Sequence, residues 1–252
     1  MPTPRTIKKT SPPTSGISEY LRQLQARSTK ILETTLNGDG ETLLASSRHH
    51  TVELMQWSET LTQHREGELF RLAAIEHEYA LLALVQGHYR HAFKGLRLVL
   101  ELSLQAVHLS VDEVALREWL QNRRDTSWGA ITKEEDGVFS KKFAQAFFPE
   151  LEVHLHHYRG LAKTIYRECS EAVHGNIPRS VPLPHHLVYS KPTTSLWHQK
   201  SAAGIGVIHF AASMRYLNDL NETEVMSMEP VLQERLGHIP QVRVKLGGPI
   251  TS

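Results

Sequence analysis

The sequence lacks features on which disulfide-bonded, membrane-spanning and strongly basic nucleic-acid-binding proteins depend. A single cysteine, Cys169, among 252 residues excludes an internal disulfide and favours a reducing compartment. No stretch reaches the roughly 18 apolar residues that a membrane-spanning helix needs, and the N-terminus lacks the apolar core of a secretion signal. The 28 basic and 27 acidic residues nearly cancel, so binding of nucleic acid would require a local basic patch. We therefore expect a cytoplasmic protein with no membrane partner.

Apolar residues instead recur at helical spacing along most of the chain, and the sequence contains no Gly-rich phosphate loop or nucleophile elbow. This pattern predicts an all-α fold, an antiparallel helical bundle, with no cofactor and no metal site. His154 and His157 have the spacing of zinc ligands on a helix, but no companion ligands accompany them. His49 and His50 are neighbours that cannot face the same side of a helix, which favours surface positions for both.

Composition divides the chain into four regions. Residues 1–16 are rich in Pro, Thr, Ser and Lys and predict a disordered arm. Residues 17–64 predict N-terminal helices, and residues 65–220 predict the main helical bundle. Residues 221–252 predict an irregular tail that binds a partner, in which residues 241–245, QVRVK, alternate like a short strand or an extended binding strip.

Turn and loop signals add detail to the main bundle. Gly87 predicts a turn between two antiparallel helices, and Trp128 predicts the anchor of a loop. Gly204 and Gly206 predict a close contact with a neighbouring helix, because a residue without Cβ lets another backbone approach. The Pro-rich residues 177–194 predict a loop that either covers the candidate site described next or only connects two helices.

Residues 158–176, YRGLAKTIYRECSEAVHGN, are the most informative stretch. With about 100° between successive residues of a helix, Arg167 and His174 lie together on the side opposite an apolar stripe. Lys163, Ser170 and Glu171 lie close to that pair, so the acidic Glu171 can partly neutralise it. The pair is separated by about 10 Å along the helix axis, which suits a phosphate-bearing partner. The apolar stripe consists of Leu155, Tyr158, Ala162, Ile165, Cys169, Ala172 and Val173.

The segment Arg167-ECSEAV-His174 resembles the RX4-6H signature of the HEPN superfamily. The wider pattern is similar to HEPN-like bacterial families in which GxYxxAxxxxRxxxE on one helix precedes YxxxSxxxH-Gly on a later helix. The resemblance covers roughly residues 69–217 and implies a helical bundle that dimerises through the Arg–His face. The residues that match the two patterns are Gly87, Tyr89, Ala92, Arg97, Glu101, Tyr166, Ser170, His174 and Gly175.

The resemblance implies a metal-independent endoribonuclease of a toxin or antiviral defence system. RNA would be the substrate, and the assembly would be a homodimer or a larger complex with a companion protein. His174 would act as general base toward the ribose 2′-hydroxyl, and Arg167 would hold the scissile phosphate. Glu168 departs from the common active form, in which a polar residue such as Asn is frequent after the Arg. An acidic group there would weaken an RNA site if it faced the phosphate, although the helical wheel turns Glu168 about 100° away. The substrate-binding candidates are Lys163, Ser170, Arg97 and Glu101.

Two other interpretations remain open. The protein can be a non-catalytic helical module that uses the same face to bind a protein, nucleotide or nucleic-acid partner in a defence or regulatory complex. In a purely structural interpretation, Arg167 pairs with Glu171 at i,i+4 and His174 interacts with the helix C-terminus. Arg97 and Glu101 would then be an ordinary i,i+4 pair at the polar edge of another helix.

Overall fold

The computed structural model describes residues 16–37, 40–174 and 183–249, and its regular secondary structure over those residues is entirely helical. The all-α prediction is therefore confirmed. Successive long helices fold back on one another around a single apolar core. A short 3-10 helix, Pro149–His154, leads into α8. The α-helices are α1 (Ile17–Leu36), α2 (Gly40–Thr60), α3 (Gly67–Val85), α4 (Tyr89–Leu109), α5 (Glu113–Leu120), α6 (Trp128–Ile131), α7 (Lys141–Phe147), α8 (Leu155–His174), α9 (Lys191–Tyr216), α10 (Glu222–Leu236) and α11 (Pro240–Lys245).

Parts of four predicted segments lie outside the described residues. These are residues 1–15 of the predicted N-terminal arm, residues 175–176 at the end of the stretch 158–176, including Gly175, residues 177–182 of the Pro-rich loop and residues 250–252 of the predicted tail. The described end of that loop, residues 183–190, passes the start of α4, where the Ser190 amide donates a hydrogen bond to the Tyr89 hydroxyl at 2.8 Å. None of the helices described combines the length and the apolar content needed to cross a membrane.

The pair α3 and α4 forms the centre of the bundle. Gly87 makes the predicted turn between them with φ of 77°, a conformation that side chains other than glycine rarely adopt. A Cβ at Gly95 would lie 2.7 Å from the Cβ of Ala80, so this glycine allows the two helices to approach closely. The close contact predicted at Gly204 and Gly206 is wrong, because a Cβ at either position would meet nothing within 4 Å.

Helix α8, which carries the candidate site, packs against α4 on one side and α9 on the other. Its apolar stripe is buried from Leu155 to Ala172, as the helical periodicity predicts. The prediction is wrong for Val173, which is exposed because it lies in the last turn, next to the point where the helix ends.

The C-terminal region is helical, so the predicted irregular tail is wrong. Asn221 begins α10 with a capping box, in which its side chain and that of Glu224 each accept a hydrogen bond from the other residue's amide. Residues 241–245, predicted to be extended, form α11 because Pro240 occupies its first turn and Val242 packs into the core. This region is therefore an integral part of the bundle.

A layer of buried histidines lies between α2, α3 and α9. His50 is only 1% exposed, so its predicted surface position is wrong, whereas His49 is exposed as predicted. Burial lowers the pKa of His50 to about 4, that of His77 to about 3 and that of His198 to about 4. Hydrogen bonds to hydroxyl groups replace water: Ser47–His198 at 2.6 Å, His50–Ser201 at 3.0 Å, His77–Ser201 at 2.8 Å and Thr51–His77 at 2.9 Å.

A second polar cluster joins α2, α9 and α10 at Glu53, which is fully buried. Arg235 donates to the Glu53 carboxylate through Nε at 3.1 Å and Nη2 at 2.5 Å. His209 Nε2 lies 2.9 Å from the same carboxylate. The Trp57 indole, which can only donate, contacts His209 Nδ1 at 2.8 Å, so Nδ1 accepts and Nε2 carries the proton toward Glu53. Burial alone would raise the pKa of Glu53, but the hydrogen bonds from His209 and Arg235 hold it at about 2.

Candidate functional site

The outward face of α8 presents two cationic side chains one turn apart. Lys163 and Arg167 are both exposed on the side of the helix opposite the apolar stripe, as predicted. Within the described part of the chain, neither side chain takes part in a hydrogen bond or an ion pair, so the predicted alternative of a pair between Arg167 and Glu171 is not formed. His174 is the last residue of α8, seven positions after Arg167, and its side chain lies outside the described part of the structure.

One edge of this face is joined to α4 by a network of three side chains. Arg97 Nη2 donates to the Tyr166 hydroxyl at 2.5 Å and to Glu101 at 3.2 Å, and the Tyr166 hydroxyl donates to Glu101 at 2.9 Å. Burial and the neighbouring Glu101 carboxylate raise the pKa of Tyr166, so its hydroxyl keeps its proton and remains a donor. Arg97 and Glu101 thus lie beside the α8 face, as the functional interpretation requires, but much of their hydrogen-bonding capacity is used within the protein.

The ring of Tyr166 is also held on both faces. Trp128 of α6 stacks on one face with ring centroids 3.9 Å apart and an interplanar angle of 4°. The Arg97 guanidinium lies over the ring at 4.4 Å from its centroid. The predicted anchoring role of Trp128 is therefore confirmed, and the residue that it anchors is the one directly before Arg167.

The other edge of α8 is tied to α9. Glu168, which departs from the HEPN pattern, forms an ion pair with Lys200 of α9, and both side chains are largely buried. Its carboxylate is therefore turned away from Arg167 and neutralised by another cation. Cys169 is buried beside it, and this burial raises the pKa of the thiol to about 12, which is unsuited to a nucleophile.

Ser170 and Arg90 satisfy backbone groups near the C-terminal end of α8. The Ser170 hydroxyl donates to the Tyr166 carbonyl at 2.6 Å, so it is directed along the helix. Arg90 of α4 donates to the Ala172 carbonyl at 3.2 Å, which satisfies an acceptor in the last turn of α8. The Arg90 contact was not predicted from the sequence, since it joins positions 82 residues apart.

The residues that match the first HEPN-like pattern have distinct structural roles. Gly87 forms the α3–α4 turn, and Tyr89 holds the residue that begins α9. Ala92 is fully buried, and its carbonyl accepts the indole hydrogen of Trp197 at 3.0 Å. Arg97 and Glu101, one and two further turns along α4, reach α8 instead.

No protein-family model, curated protein or solved structure matches this chain. The resemblance therefore rests on these residues and on their positions in the fold.

The histidines with ligand spacing do not gather into a metal site in the described structure. His154 lies 3.4 Å from Gln241, and the ring of His157 packs edge-on against Tyr158. Of the described residues, His49, Glu53 and Glu234 have donor atoms close enough to share a cation. The Glu53 carboxylate is already engaged by the Arg235 guanidinium, whose positive charge would repel a metal ion. The residues of this cluster therefore suit an ion-pair network better than a metal site.

Tyr166 has a role that the sequence did not predict. It matches the second HEPN-like pattern but is not one of the predicted functional residues, although it connects Arg97 and Glu101 to the helix that bears Arg167. A signal was present in the helical wheel, because Tyr166 projects about 100° from Arg167, toward the edge of the apolar stripe. A polar aromatic residue at such an edge commonly finds a hydrogen-bond partner on a neighbouring helix.

Proposed function

We propose that the outward face of α8 binds the phosphodiester backbone of RNA and that the protein is a metal-independent endoribonuclease of the HEPN type, acting in a toxin or antiviral system. The observation that carries the proposal is the state of Arg167, which is exposed and has no ion-pair partner within the described structure. Its neighbours differ, because Arg97 is bonded to Glu101 and Tyr166, and Lys200 is paired with Glu168.

An unpaired guanidinium suits a phosphate group for two reasons. Its fork of N–H donors matches two phosphate oxygens, and no salt bridge to another described residue has to be broken before binding. Lys163, one turn earlier, adds positive charge on the same face. A protein with a net charge of +1 needs a local group of cations to bind nucleic acid, and the presence of Arg167 and Lys163 on one face supports the proposal in this respect.

The proposed reaction is cleavage by the ribose 2′-hydroxyl. The His174 imidazole takes the 2′-hydroxyl proton, and the 2′-oxygen attacks the adjacent phosphorus. Arg167 stabilises the negative charge that develops on the phosphoryl oxygens. The bond from phosphorus to the 5′-oxygen breaks, and that oxygen takes up a proton from solvent. The products are a 2′,3′-cyclic phosphate and a 5′-hydroxyl.

Arg97, Glu101 and Tyr166 act as positioning residues in this proposal. Their hydrogen bonds fix α8 against α4 and thereby fix the direction in which Arg167 projects. The proposal includes a homodimer, since one Arg and one His make a sparse site and closed two-fold pairing is the commonest assembly of soluble proteins.

Cleavage of a fluorophore-labelled single-stranded RNA by the full chain, in the presence of a chelator, tests the proposal. We expect Arg167→Ala and His174→Ala each to lower the rate by at least about 100-fold, as for loss of a charge-stabilising group or a general base. Arg123→Ala is the matched control for a surface arginine, and His156→Ala is the control for an exposed histidine of the same helix. Equal cleavage by the wild type and by both site variants would end the proposal.

The second candidate function is a non-catalytic binding module. It is favoured by the network itself, because Arg97, Glu101 and Tyr166 bond mainly to one another and leave few groups for chemistry. The same RNA preparation separates the two functions. Binding that Arg167→Ala weakens, without cleavage by the wild type, would establish the module instead of the enzyme.

A further inference from the structure

A small cleft lies at the start of α4, next to the described end of the Pro-rich loop. It encloses about 190 Å³, whereas pockets that enclose a whole small ligand commonly measure about 300 to 1,000 Å³. A water molecule occupies about 30 Å³, so the cleft has room for a few waters or for one compact chemical group. We call it the α4 cleft. The nitrogen-bearing side chains of its lining are His88, Arg90, His91 and His186.

The lining of the α4 cleft contains no carboxylate. Four larger clefts of the described structure differ in this respect, because each has at least one acidic side chain in its lining: Glu41, Glu59, Glu150 or Asp136. Arg90 supplies a permanent positive charge, and no described carboxylate forms an ion pair with it. The three imidazoles add N–H donors. A group with negative charge and several acceptor oxygens therefore fits this lining.

Contacts of the loop with the bundle fix one wall of the α4 cleft. Leu187 approaches the α3–α4 turn so closely that a Cβ at Gly87 would lie 3.3 Å from its Cδ1. The Ser190 amide is bonded to the start of α4, and Leu183 packs against the core. These contacts lie on both sides of His186 in the sequence. The backbone of His186 is therefore fixed where this residue lines the cleft.

The α4 cleft does not have the arrangement of a metal site. Ligand atoms that share an ion must lie close together, and the described His88, His91 and His186 do not form such a group. The rings of His88 and His91 stand edge to face with their centroids 6.2 Å apart. The Arg90 guanidinium would also repel a cation. The ligand that suits the cleft is therefore an anion.

Arg90 connects the α4 cleft with the end of α8. Its guanidinium donates to the Ala172 carbonyl at 3.2 Å, and Ala172 lies two residues, or about 3 Å along the helix axis, before His174. Arg167 lies five residues, or about 8 Å along the axis, before Ala172. A strand that follows α8 from Arg167 toward His174 therefore arrives at the cleft.

We propose that the α4 cleft binds a second phosphate of the RNA, one that flanks the phosphate held by Arg167. The inference rests on the proposed function, because the RNA on the α8 face is the source of this phosphate. Arg90 has five N–H donors and uses one for the Ala172 carbonyl, so others are left for phosphate oxygens. His91 of α4 and His186 of the loop donate from the two walls. A contact of this kind positions the strand without reading a base.

Binding of a single-stranded RNA with 2′-O-methyl riboses tests the inference, because the blocked hydroxyl prevents cleavage while every phosphate remains. Fluorescence anisotropy measures the dissociation constant at several salt concentrations. Each phosphate contact of a single strand contributes about 0.7 to the slope of log affinity against log salt. His91→Glu and His186→Glu place a carboxylate in the cleft. We expect each to raise the dissociation constant by at least about 10-fold, as for loss of a hydrogen bond to a charged group, and to reduce the slope by about 0.7.

His185→Glu is the matched control. It makes the same change of charge at the neighbouring loop residue, which is exposed but does not line the cleft. We expect it to leave the salt slope unchanged. Circular dichroism checks that each variant is folded.

Inorganic phosphate alone provides a test without RNA. Its titration into the full chain, followed by NMR of the imidazole protons, should shift the resonances of His91 and His186 and leave that of His185 in place. Sodium chloride at the same ionic strength should shift none of them. The variants assign the three resonances.

Three results would overturn the inference, and they separate it from the proposed function. RNA binding that Arg167→Ala weakens and both cleft variants leave intact would keep the α8 site and remove the second phosphate site. Equal weakening by His186→Glu and His185→Glu would show general repulsion instead of a cleft contact. A wild type that does not bind the RNA would overturn the proposed function and, with it, the source of the phosphate.

Discussion

Tyr166 has a partner for each polar and apolar part of its side chain. Its hydroxyl accepts from Arg97 and donates to Glu101, while its ring lies between Trp128 and the Arg97 guanidinium. Loss of the hydroxyl alone would leave the stacked ring in place but would remove one hydrogen bond on each side. The contribution of the network to stability can therefore be measured with a change of a single atom.

We expect Tyr166→Phe to lower the free energy of unfolding by about 1 to 3 kcal/mol, because two partly buried hydrogen bonds are lost and each contributes about 0.5 to 1.5 kcal/mol. Urea denaturation followed by circular dichroism measures it. Tyr158→Phe is the matched control on the same helix, because the Tyr158 hydroxyl has only a long contact of 3.4 Å with His238 and should contribute no more than a few tenths of a kcal/mol. Equal losses in the two variants would show that the network has no special role.

The sequence predicted which α8 residues are exposed better than it predicted which residues of other helices they contact. A helical wheel is sufficient to place Lys163 and Arg167 on the outside, since the apolar stripe defines the inside. The partners of Tyr166 lie 65 and 69 positions earlier in the chain, and helical periodicity contains no information on which helix packs beside α8. The burial of His50 was missed for the same reason, because the hydroxyl of Ser201 that stabilises it lies on another helix.

At the scale of elements, α10 is fastened to the bundle by a buried ion pair as well as by apolar packing. Arg235 of α10 reaches Glu53 of α2, and the carboxylate is fully buried. A buried pair of this kind contributes little relative to apolar residues of the same shape, but removal of one partner leaves a charge without compensation. The fold is therefore sensitive to this position.

We expect Arg235→Met to lower the free energy of unfolding by about 3 kcal/mol or more, because the Glu53 carboxylate would stay buried without its guanidinium and with two histidines, His209 and His49, as its remaining described partners. The double variant Glu53→Gln with Arg235→Met should recover much of that loss. Arg71→Ala, which breaks an exposed pair with Glu68, is the control and should destabilise the protein much less than Arg235→Met, because solvent screens an exposed pair. A small effect of Arg235→Met, similar to that of the control, would contradict the proposed anchoring of α10.

The long helices α1 to α4, α8 and α9 could be predicted because their apolar periodicity extends over several turns. The four residues of α6 were predicted to be part of a loop, because one turn is too short to show a period. The C-terminal region could not, because residues 241–245 are too few to distinguish a strand from a helix by alternation. Two local signals were nevertheless present in that region. Asn221 followed by Glu224 has the spacing of a capping box, and Pro240 is at a position favoured in the first turn of a helix.

At the scale of the whole molecule, the layer of buried histidines links stability to pH. His50, His77 and His198 have pKa values lowered by burial to about 4, 3 and 4, against about 6.5 in an unfolded chain. At pH values between about 4 and 6.5, these histidines bind protons in the unfolded state but not in the folded state. The stabilisation is therefore complete above about pH 6.5 and is lost as the pH falls toward 4.

We expect the free energy of unfolding to fall by about 2 kcal/mol for each of the three histidines between pH 7.5 and pH 5. Urea denaturation at both pH values measures the difference. His198→Asn should reduce that difference by about one third, whereas His156→Asn, at an exposed position, should leave it unchanged. A stability that does not vary over this interval would contradict the burial of neutral histidines.

The attachment of α8 on both edges has a mechanical consequence. Tyr166 holds one edge to α4 and Glu168 holds the other edge to α9, and these two residues lie on either side of Arg167 in the sequence. A helix held on two flanks can neither roll about its axis nor slide along it. The Arg167 backbone therefore has one orientation before any ligand arrives. Only the rotamers of the side chain remain to be ordered on binding, at a cost of about 2 kcal/mol or less.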